Sequence, residues 1–469
     1  MAQDKRSGRS ERKPAGAEPK RGHGAQGRPP GRGRKTETSF RPGVRTAGAK
    51  VADKGARFVR AGHPWVFREA LLRPLSGFDA GALVPVADAE GNHLGFGLYE
   101  PEGAVALRMV ARTQEFAWTP DVMLERLRAA KAHRARWVEP GFADACRLIH
   151  ADADGFPGVA VDRYGEFLLV YKYAHAADGW LDQLIPLLEQ EYAPTGIYLQ
   201  DRTRPVTADG GTRPVTGDGG TRPVTADGGS RGAAPEDGAK RPPATLVAGK
   251  PATAEFEVGE DGLRFLVDVT APVSPGLFLD LREGRRLLER ISADKRVLNL
   301  FSFTGALALR ALRGRAREVV NVDAAARSHA RCRQNLAASG LDPEACEAMT
   351  GDVFKYLEKL RQKQRTFDLV VVDPPPFSTV KGSSFSALTG WTELAEAIAH
   401  VVAPGGEVLA VANAAALTEE EFLTAVGEGS NRAGRLARVI GECGLPPDFP
   451  VIAAFPEGKY LKVKLLSLG

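Results

Sequence analysis

Between Arg296 and Asn413 the chain alternates short apolar runs with longer stretches of helical period. They read "RVLNLFS", "GALALRALRG", "EVVNVD", "AAARSHARCRQNLAAS", "FDLVVVD", "LTGWTELAEAIAHVV" and "GEVLAVAN". Strands with no polar face must be covered on both sides. When helices join them, they assemble as a parallel α/β sheet. Sheets of this kind take ligands at the carboxyl ends of their strands, where the strand order reverses. Just upstream, "AEFEVGEDGLRFLVDV" reads as an antiparallel pair turned at Glu260-Asp261-Gly262. This hairpin and the alternating region together define a domain over 253–469.

The strand ends carry a specific set of residues. Asn299-Leu300-Phe301-Ser302-Phe303-Thr304-Gly305 leaves the first strand and opens the first helix. Glycine there lets backbone amides approach a ligand at a helix start. Asn299, Phe301, Thr304 and Gly305 are therefore cofactor candidates. Asp323 ends the second strand, where an acid bonds ribose hydroxyls, and Asp352 follows the third, placed to accept from an adenine amino group. The loop lacks the three glycines of a dinucleotide fingerprint. The ordered acids thus favour S-adenosylmethionine over NAD, with Asp373 completing the set at the fourth strand.

That fourth strand runs into Asp373-Pro374-Pro375-Pro376-Phe377. Prolines fix φ and leave carbonyls free to accept from a base. Phe377 can stack on an extruded base, at about 1–3 kcal/mol, offsetting the cost of flipping it out. A sulfonium methyl is already electrophilic, so the protein's work is positioning and water exclusion. Asp373, Pro374, Phe377 and, after the fifth strand, Asn413 are the candidate catalytic residues.

The rest of the chain reads as a delivery apparatus. Residues 1–50 hold 14 Lys and Arg against 4 Asp and Glu, although the whole chain is only +5, so the remainder is net acidic. A basic, Gly/Pro-rich arm over 1–48 cannot bury enough to fold, but it can neutralise phosphates. Residues 49–118 alternate apolar runs and glycines as a small β-rich module. Residues 119–200 mix a basic helix, strands and an amphipathic helix as an α+β domain. Three nine-residue copies of "TRPVT(A/G)DGG" fill 203–229 with one Val each, too little to pack as a solenoid. Residues 201–252 therefore read as a disordered insertion. Four scattered cysteines without a CxxC pair argue against a metal site or disulfides. A polar, basic start and the lack of a long apolar stretch point to the cytoplasm, with no membrane partner.

These stretches resemble the bacterial 23S ribosomal RNA methyltransferases in which a Rossmann-like class I catalytic domain follows a PUA domain and a central α+β domain. The likeness lies in "RFVRAGHPWVFREAL", "RLIHADADGFPGVAVDRYGEFLLV", "SPGLFLDLREGRR", "LNLFSFTGALALRAL", "GDVFKYL", "VVVDPPPF" and "FPVIAAFPEGKYLKVKLL". It implies that the substrate is large-subunit ribosomal RNA. It also implies that Phe278, Asp280 and Arg282 border the cofactor, with Arg282 meeting its carboxylate, while His63 and Trp65 are packing residues of the PUA turn. By domain layout the family is of the cytosine-C5 type, which needs a thiolate to add to carbon 6. Asn413 stands where that cysteine belongs. The guanine-N7 branch carries a similar acid-Pro-Pro-x-Phe-Ser loop and an asparagine. Guanine N7 or an exocyclic amine is thus the alternative acceptor. An RNA-binding assembly factor without catalysis is the alternative of another class. A homodimer is left open.

Overall fold

The computed structural model describes residues 48–137, 144–203, 242–253, 255–375, 377–380 and 383–469, with side chains omitted at 377–384. All of them lie in one compact unit, Phe40–Gly469. The basic arm and the repeats read from the sequence lie outside the described residues.

Seven strands form the catalytic sheet: β1 (Arg296–Leu300), β2 (Glu318–Asp323), β3 (Cys346–Thr350), β4 (Phe367–Val372), β5 (Val402–Ala412), β6 (Ala437–Cys443) and β7 (Lys462–Leu468), in the order β3-β2-β1-β4-β5-β7-β6. The first five run parallel, and β7 returns antiparallel between β5 and β6. Six helices accompany them: α1 (Arg282–Ile291), α2 (Ala306–Arg313), α3 (Ala326–Ala338), α4 (Val353–Gln362), α5 (Trp391–Ala399) and α6 (Glu419–Arg432). Val297, Leu369 and Leu409 fill one face of the sheet, and Leu298, Val370 and Val408 the other. That is why these strands read as unbroken apolar runs. The order reverses at β1 and β4, which places a ligand crevice there.

The leading hairpin pairs Phe256–Glu260 with Leu263–Val267, and its turn puts Asp261 (φ 52°) and Gly262 (φ 81°) in the left-handed region. Asp-Gly is suited to such a two-residue turn. The central domain is a five-stranded sheet flanked by helices Pro120–Ala135 and Leu181–Tyr192. Its edge strand, Thr245–Gly249, pairs with Gly196–Asp201. The insertion expected over 201–252 therefore ends earlier than the sequence suggested. The Pro- and Gly-rich surroundings hid a strand that is only half-buried.

The N-terminal module holds five strands and also a helix, Asp53–Ala61, that its β-like patterning did not reveal. Ala56 and Val59 bury that helix, and Gly62 (φ 107°) ends it. His63 and Trp65 are packing residues. Trp65 meets Phe455 at 4.6 Å, and His63 Nε2 lies 3.4 Å from Glu457, which ties the module to the catalytic domain. Among the described residues no helix is long and apolar enough to cross a membrane.

Candidate active site

Register puts the candidate residues at one edge. Val322, Leu300, Val372 and Ala410 face each other in turn across β2, β1, β4 and β5. The residues that follow, Asp323, Phe301 and Asp373, therefore leave the sheet side by side. Two strand spacings, about 10 Å, separate the chains carrying the two acids. Between them opens a cavity of about 620 Å³, lined among others by Phe278, Phe301, Ser302, Thr304, Asp323, Asp352, Asp373 and Pro375. Its size is that of a small-molecule site.

The loop after β1 is strained and held. Phe301 (φ 56°) and Phe303 (φ 47°) are left-handed, as is Gly305 (φ 81°). Each such phenylalanine costs on the order of 1 kcal/mol or more. Four bonds offset this. Ser302 N–H donates to Val322 O at 3.0 Å and Phe303 N–H to Asp323 Oδ2 at 2.8 Å. Thr304 Oγ1 donates to Gly276 O at 2.6 Å, and Asn335 Nδ2 to Thr304 O at 2.9 Å. Asn335 is fully buried on α3 and also accepts from Leu266 N–H, linking the hairpin to the loop. Sequence reasoning missed it. The signal was an amide side chain inside a helix, where it is a weak former.

Asp323 is doubly engaged, since Ala325 N–H donates to its Oδ1 at 2.9 Å. A carboxylate offers about four acceptor positions, so capacity for a ligand remains. Asp352 lines the cavity and also caps α4, accepting from Lys355 N–H at 2.9 Å. Gly305 leaves no room for a side chain: a Cβ would fall 2.2 Å from Cys332 Sγ. Gly305→Ala is expected to weaken S-adenosylmethionine binding about tenfold and to lower Tm, because both φ and space oppose it. Calorimetric titration of the cofactor checks this, and wild-type affinity would rule it out.

Three expected cofactor neighbours lie elsewhere. Arg282 does not line the cavity. It is buried, its Nη1 donates to Asp448 Oδ1 at 2.8 Å, its Nη2 to Ala145 O at 2.8 Å and its Nε to Glu260 at 3.3 Å. A buried guanidinium needs carboxylate partners, and these brace the catalytic domain against the central one. Asp280 accepts from Tyr460 Oη at 3.1 Å and faces a separate, smaller cavity. Asn299 is buried in the sheet, donating to Asn321 Oδ1 at 2.9 Å. Arg285, Arg327 and Arg331 line the main cavity instead.

At the reaction end, Pro374 is buried and Pro375 lines the cavity. Phe377 begins a two-stranded hairpin, Phe377–Val380 with Ser383–Ser386, which the sequence did not suggest. The Phe377 side chain lies outside the described residues. Phe385 of that hairpin lines the cavity and faces Phe301 at 5.9 Å. Asn413 follows β5. It is 2 % exposed, and neither atom of its amide has a hydrogen-bond partner among the described residues. Beside it Lys462 Nζ donates to Ala414 O at 2.7 Å. Burial, opposed by Glu419 and Glu421, lowers the Lys462 pKa to about 8.

Among the described residues no cysteine lines the cavity. Cys332 is buried on α3 against Gly305, Cys346 lies on β3, and Cys443 lies on β6. Burial pushes the Cys146 thiol up to about 12 and that of Cys443 to about 11.

A cavity at the switch point of such a sheet, ringed by strand-end acids, belongs to the S-adenosylmethionine-dependent methyltransferases. Residues 239–463 match the family model of S-adenosylmethionine-dependent methyltransferases, and 49–112 that of a PUA-like domain. Ribosomal RNA large subunit methyltransferase I of Klebsiella pneumoniae (strain 342) is 31% identical over 400 residues, covering 85% of this chain and 93% of that protein. The protein of that name from Citrobacter koseri is 31% identical over 400 residues, covering 85% and 94%. Two solved structures share the fold. A methyltransferase complexed with SAH matches with TM-score 0.77 at 23% identity, covering 90% of this chain and all (100%) of its own. A methyltransferase from Streptococcus mutans matches at 0.75 and 22%, with the same coverage, 90% and 100%. The chain belongs to the ribosomal RNA large subunit methyltransferase I family and is an S-adenosylmethionine-dependent enzyme.

Proposed function

We propose that this enzyme methylates a base of 23S ribosomal RNA at a nitrogen, guanine N7 or an exocyclic amine, without a covalent enzyme–base intermediate. The observation that carries this reading is Asn413, a buried amide just past the carboxyl end of β5, with neither polar atom partnered among the described residues. Leaving such atoms without partners costs about 1–3 kcal/mol each, a penalty that a bound base edge would remove. The absence of a thiol among the described residues of the cavity lining supports the same reading, because attack at cytosine C5 needs one. A guanine N7 lone pair needs none.

S-adenosylmethionine supplies a methyl group already activated by its sulfonium. In this reading Asp323 takes the ribose hydroxyls and Asp352 the adenine amine, while Phe278, Phe301, Thr304 and Gly305 close around the rest. Asp373 and Asn413 orient the acceptor base, Pro374 fixes the approach, and Phe377 stacks on the base. The PUA-like domain and the basic arm hold the RNA. The cytoplasm, where ribosomes are assembled, is the compartment this requires.

Mass spectrometry of 23S RNA nucleosides after incubation with enzyme and cofactor tests the proposal. A new methylguanosine or N-methylated nucleoside is expected, and 5-methylcytidine would overturn it. Asn413→Ala is expected to slow transfer by about 10–100-fold, the scale of a lost orienting contact, without lowering Tm. An unchanged rate would leave Asn413 as a turn residue only.

A further inference from the structure

Val273, Ser274, Pro275 and Phe278 line the cofactor cavity and also a second, smaller one of about 60 Å³. Its far side belongs to the central domain. Tyr171 and Tyr173 stack there at 5.9 Å and 13°, and the Arg202 guanidinium lies 5.1 Å from the Tyr171 ring centre. The near side is catalytic-domain chain, with Asp280 held by Tyr460 Oη. Arg147, paired with Asp162 at 2.6 Å, lies 4.3 Å over the Phe449 ring at the base.

Three features of this cleft point to one occupant. Aromatic rings interleaved with guanidinium groups form the surface on which unpaired nucleotides stack, because every base has a π-face. The cleft adjoins the reaction corner: Lys462 Nζ donates both to Tyr460 O at 3.2 Å and to Ala414 O, next to Asn413. At about 60 Å³ the cleft is far smaller than a site that swallows a whole ligand, so a nucleotide would rest across its open mouth. There Tyr173 and Arg202 are partly exposed, and Val273, on the shared wall, is 52% exposed. Arg202 is held in place by Gln200 and by Val273 O at 3.0 Å. It is thus a fixed charge at the rim.

We propose that this cleft seats the nucleotide adjacent to the one being methylated, its base stacked on Tyr173 and its phosphate on Arg202. The central domain is then a part of the substrate site, and single-stranded RNA lies across the 273–278 segment with the target base turned into the cofactor side. This rests on the RNA reading above.

The test uses the full-length protein and a fluorescein-labelled single-stranded oligoribonucleotide of mixed sequence, followed by anisotropy. Tyr173→Ala is expected to weaken binding about tenfold, the scale of one lost stack, and Tyr173→Phe to restore it. Arg202→Gln is expected to reduce the dependence of log affinity on log salt by about one phosphate's worth. S-adenosylmethionine affinity, measured by calorimetry, is expected to stay within twofold in all three variants, which also reports that they fold. Wild-type oligoribonucleotide affinity in both Tyr173→Ala and Arg202→Gln would overturn the proposal. Methylation of ribosomal RNA by the wild-type enzyme is scored separately. Its failure counts against the proposed function, whereas unaltered variants of an active enzyme count against the cleft alone.

Discussion

Asp373→Ala is expected to lower kcat/KM for methyl transfer to ribosomal RNA by about a thousandfold, the scale of losing a preorganised polar group at the reacting centre. The argument is positional. β4 lies between β1 and β5, its last residue Val372 opposite Leu300, the last of β1, and Ala410 of β5, so Asp373 emerges where the strand order reverses and lines the cavity. The prolines that follow stop the strand and fix the direction of the loop. The methyl group is electrophilic without help from the protein. What the enzyme adds is the orientation of a planar acceptor, and a carboxylate does this by accepting from ring or amine N–H groups of the base. Asp373→Asn keeps one acceptor and should fall between wild type and alanine. Incorporation of labelled methyl into 23S RNA measures both, and circular dichroism confirms folding. Full activity in the alanine variant would remove Asp373 from the mechanism.

The sequence carried the catalytic sheet well because its signal is local. Unbroken apolar runs such as 369–372 arise only where both faces are covered, and the acids after them are fixed by register. The Glu260-Asp261-Gly262 turn was equally legible, since an Asp-Gly pair between two alternating runs has few other uses. What failed was long-range. Arg282 sits among arginines close to the cofactor segment, and nothing local distinguishes a ligand contact from a brace. Asp448, its partner, is 166 residues away. The same holds for Asp280 and Tyr460, 180 residues apart, which meet because the chain returns to β7 between β5 and β6. Strand Thr245–Gly249 went unread because half-buried edge strands carry a weak pattern. Asn335 and the positive-φ phenylalanines are tertiary devices. They are visible only once helix, hairpin and loop meet.

The network that displaced Arg282 from the cofactor carries the largest expected effect on stability. Glu260 is wholly buried and accepts from Arg285 Nε at 2.7 Å, Arg310 Nη2 at 2.7 Å and Arg282 Nε at 3.3 Å. Removing one member of such a cluster leaves buried charge uncompensated, at a cost of about 3–5 kcal/mol. Arg282 keeps Asp448, and Arg310 keeps Asp261 and Glu289. The loss therefore falls mainly on Arg285, which lines the cofactor cavity and also donates to Phe278 O at 2.6 Å. Glu260→Gln is expected to lower the Tm of the catalytic domain by about 10 °C, taking about 2–4 °C per kcal/mol for a domain of this size. The pH dependence follows from the same groups. Burial alone would raise the Glu260 pKa, but Arg285, Arg282 and Arg310 outweigh it and hold the carboxyl far below its ordinary 4.5. A carboxyl depressed on folding contributes fully above its unfolded pKa and loses that contribution as pH falls towards the folded one. Wild-type Tm should therefore fall between pH 5 and pH 3 (roughly the range where an unfolded carboxyl takes up its proton), and the Gln variant should show a shallower slope. Replacing Glu260 and Arg285 together by leucine should recover much of the loss, since an apolar pair leaves no buried charge behind. Equal Tm in wild type and Glu260→Gln at pH 7 would show that the three arginines are satisfied without it.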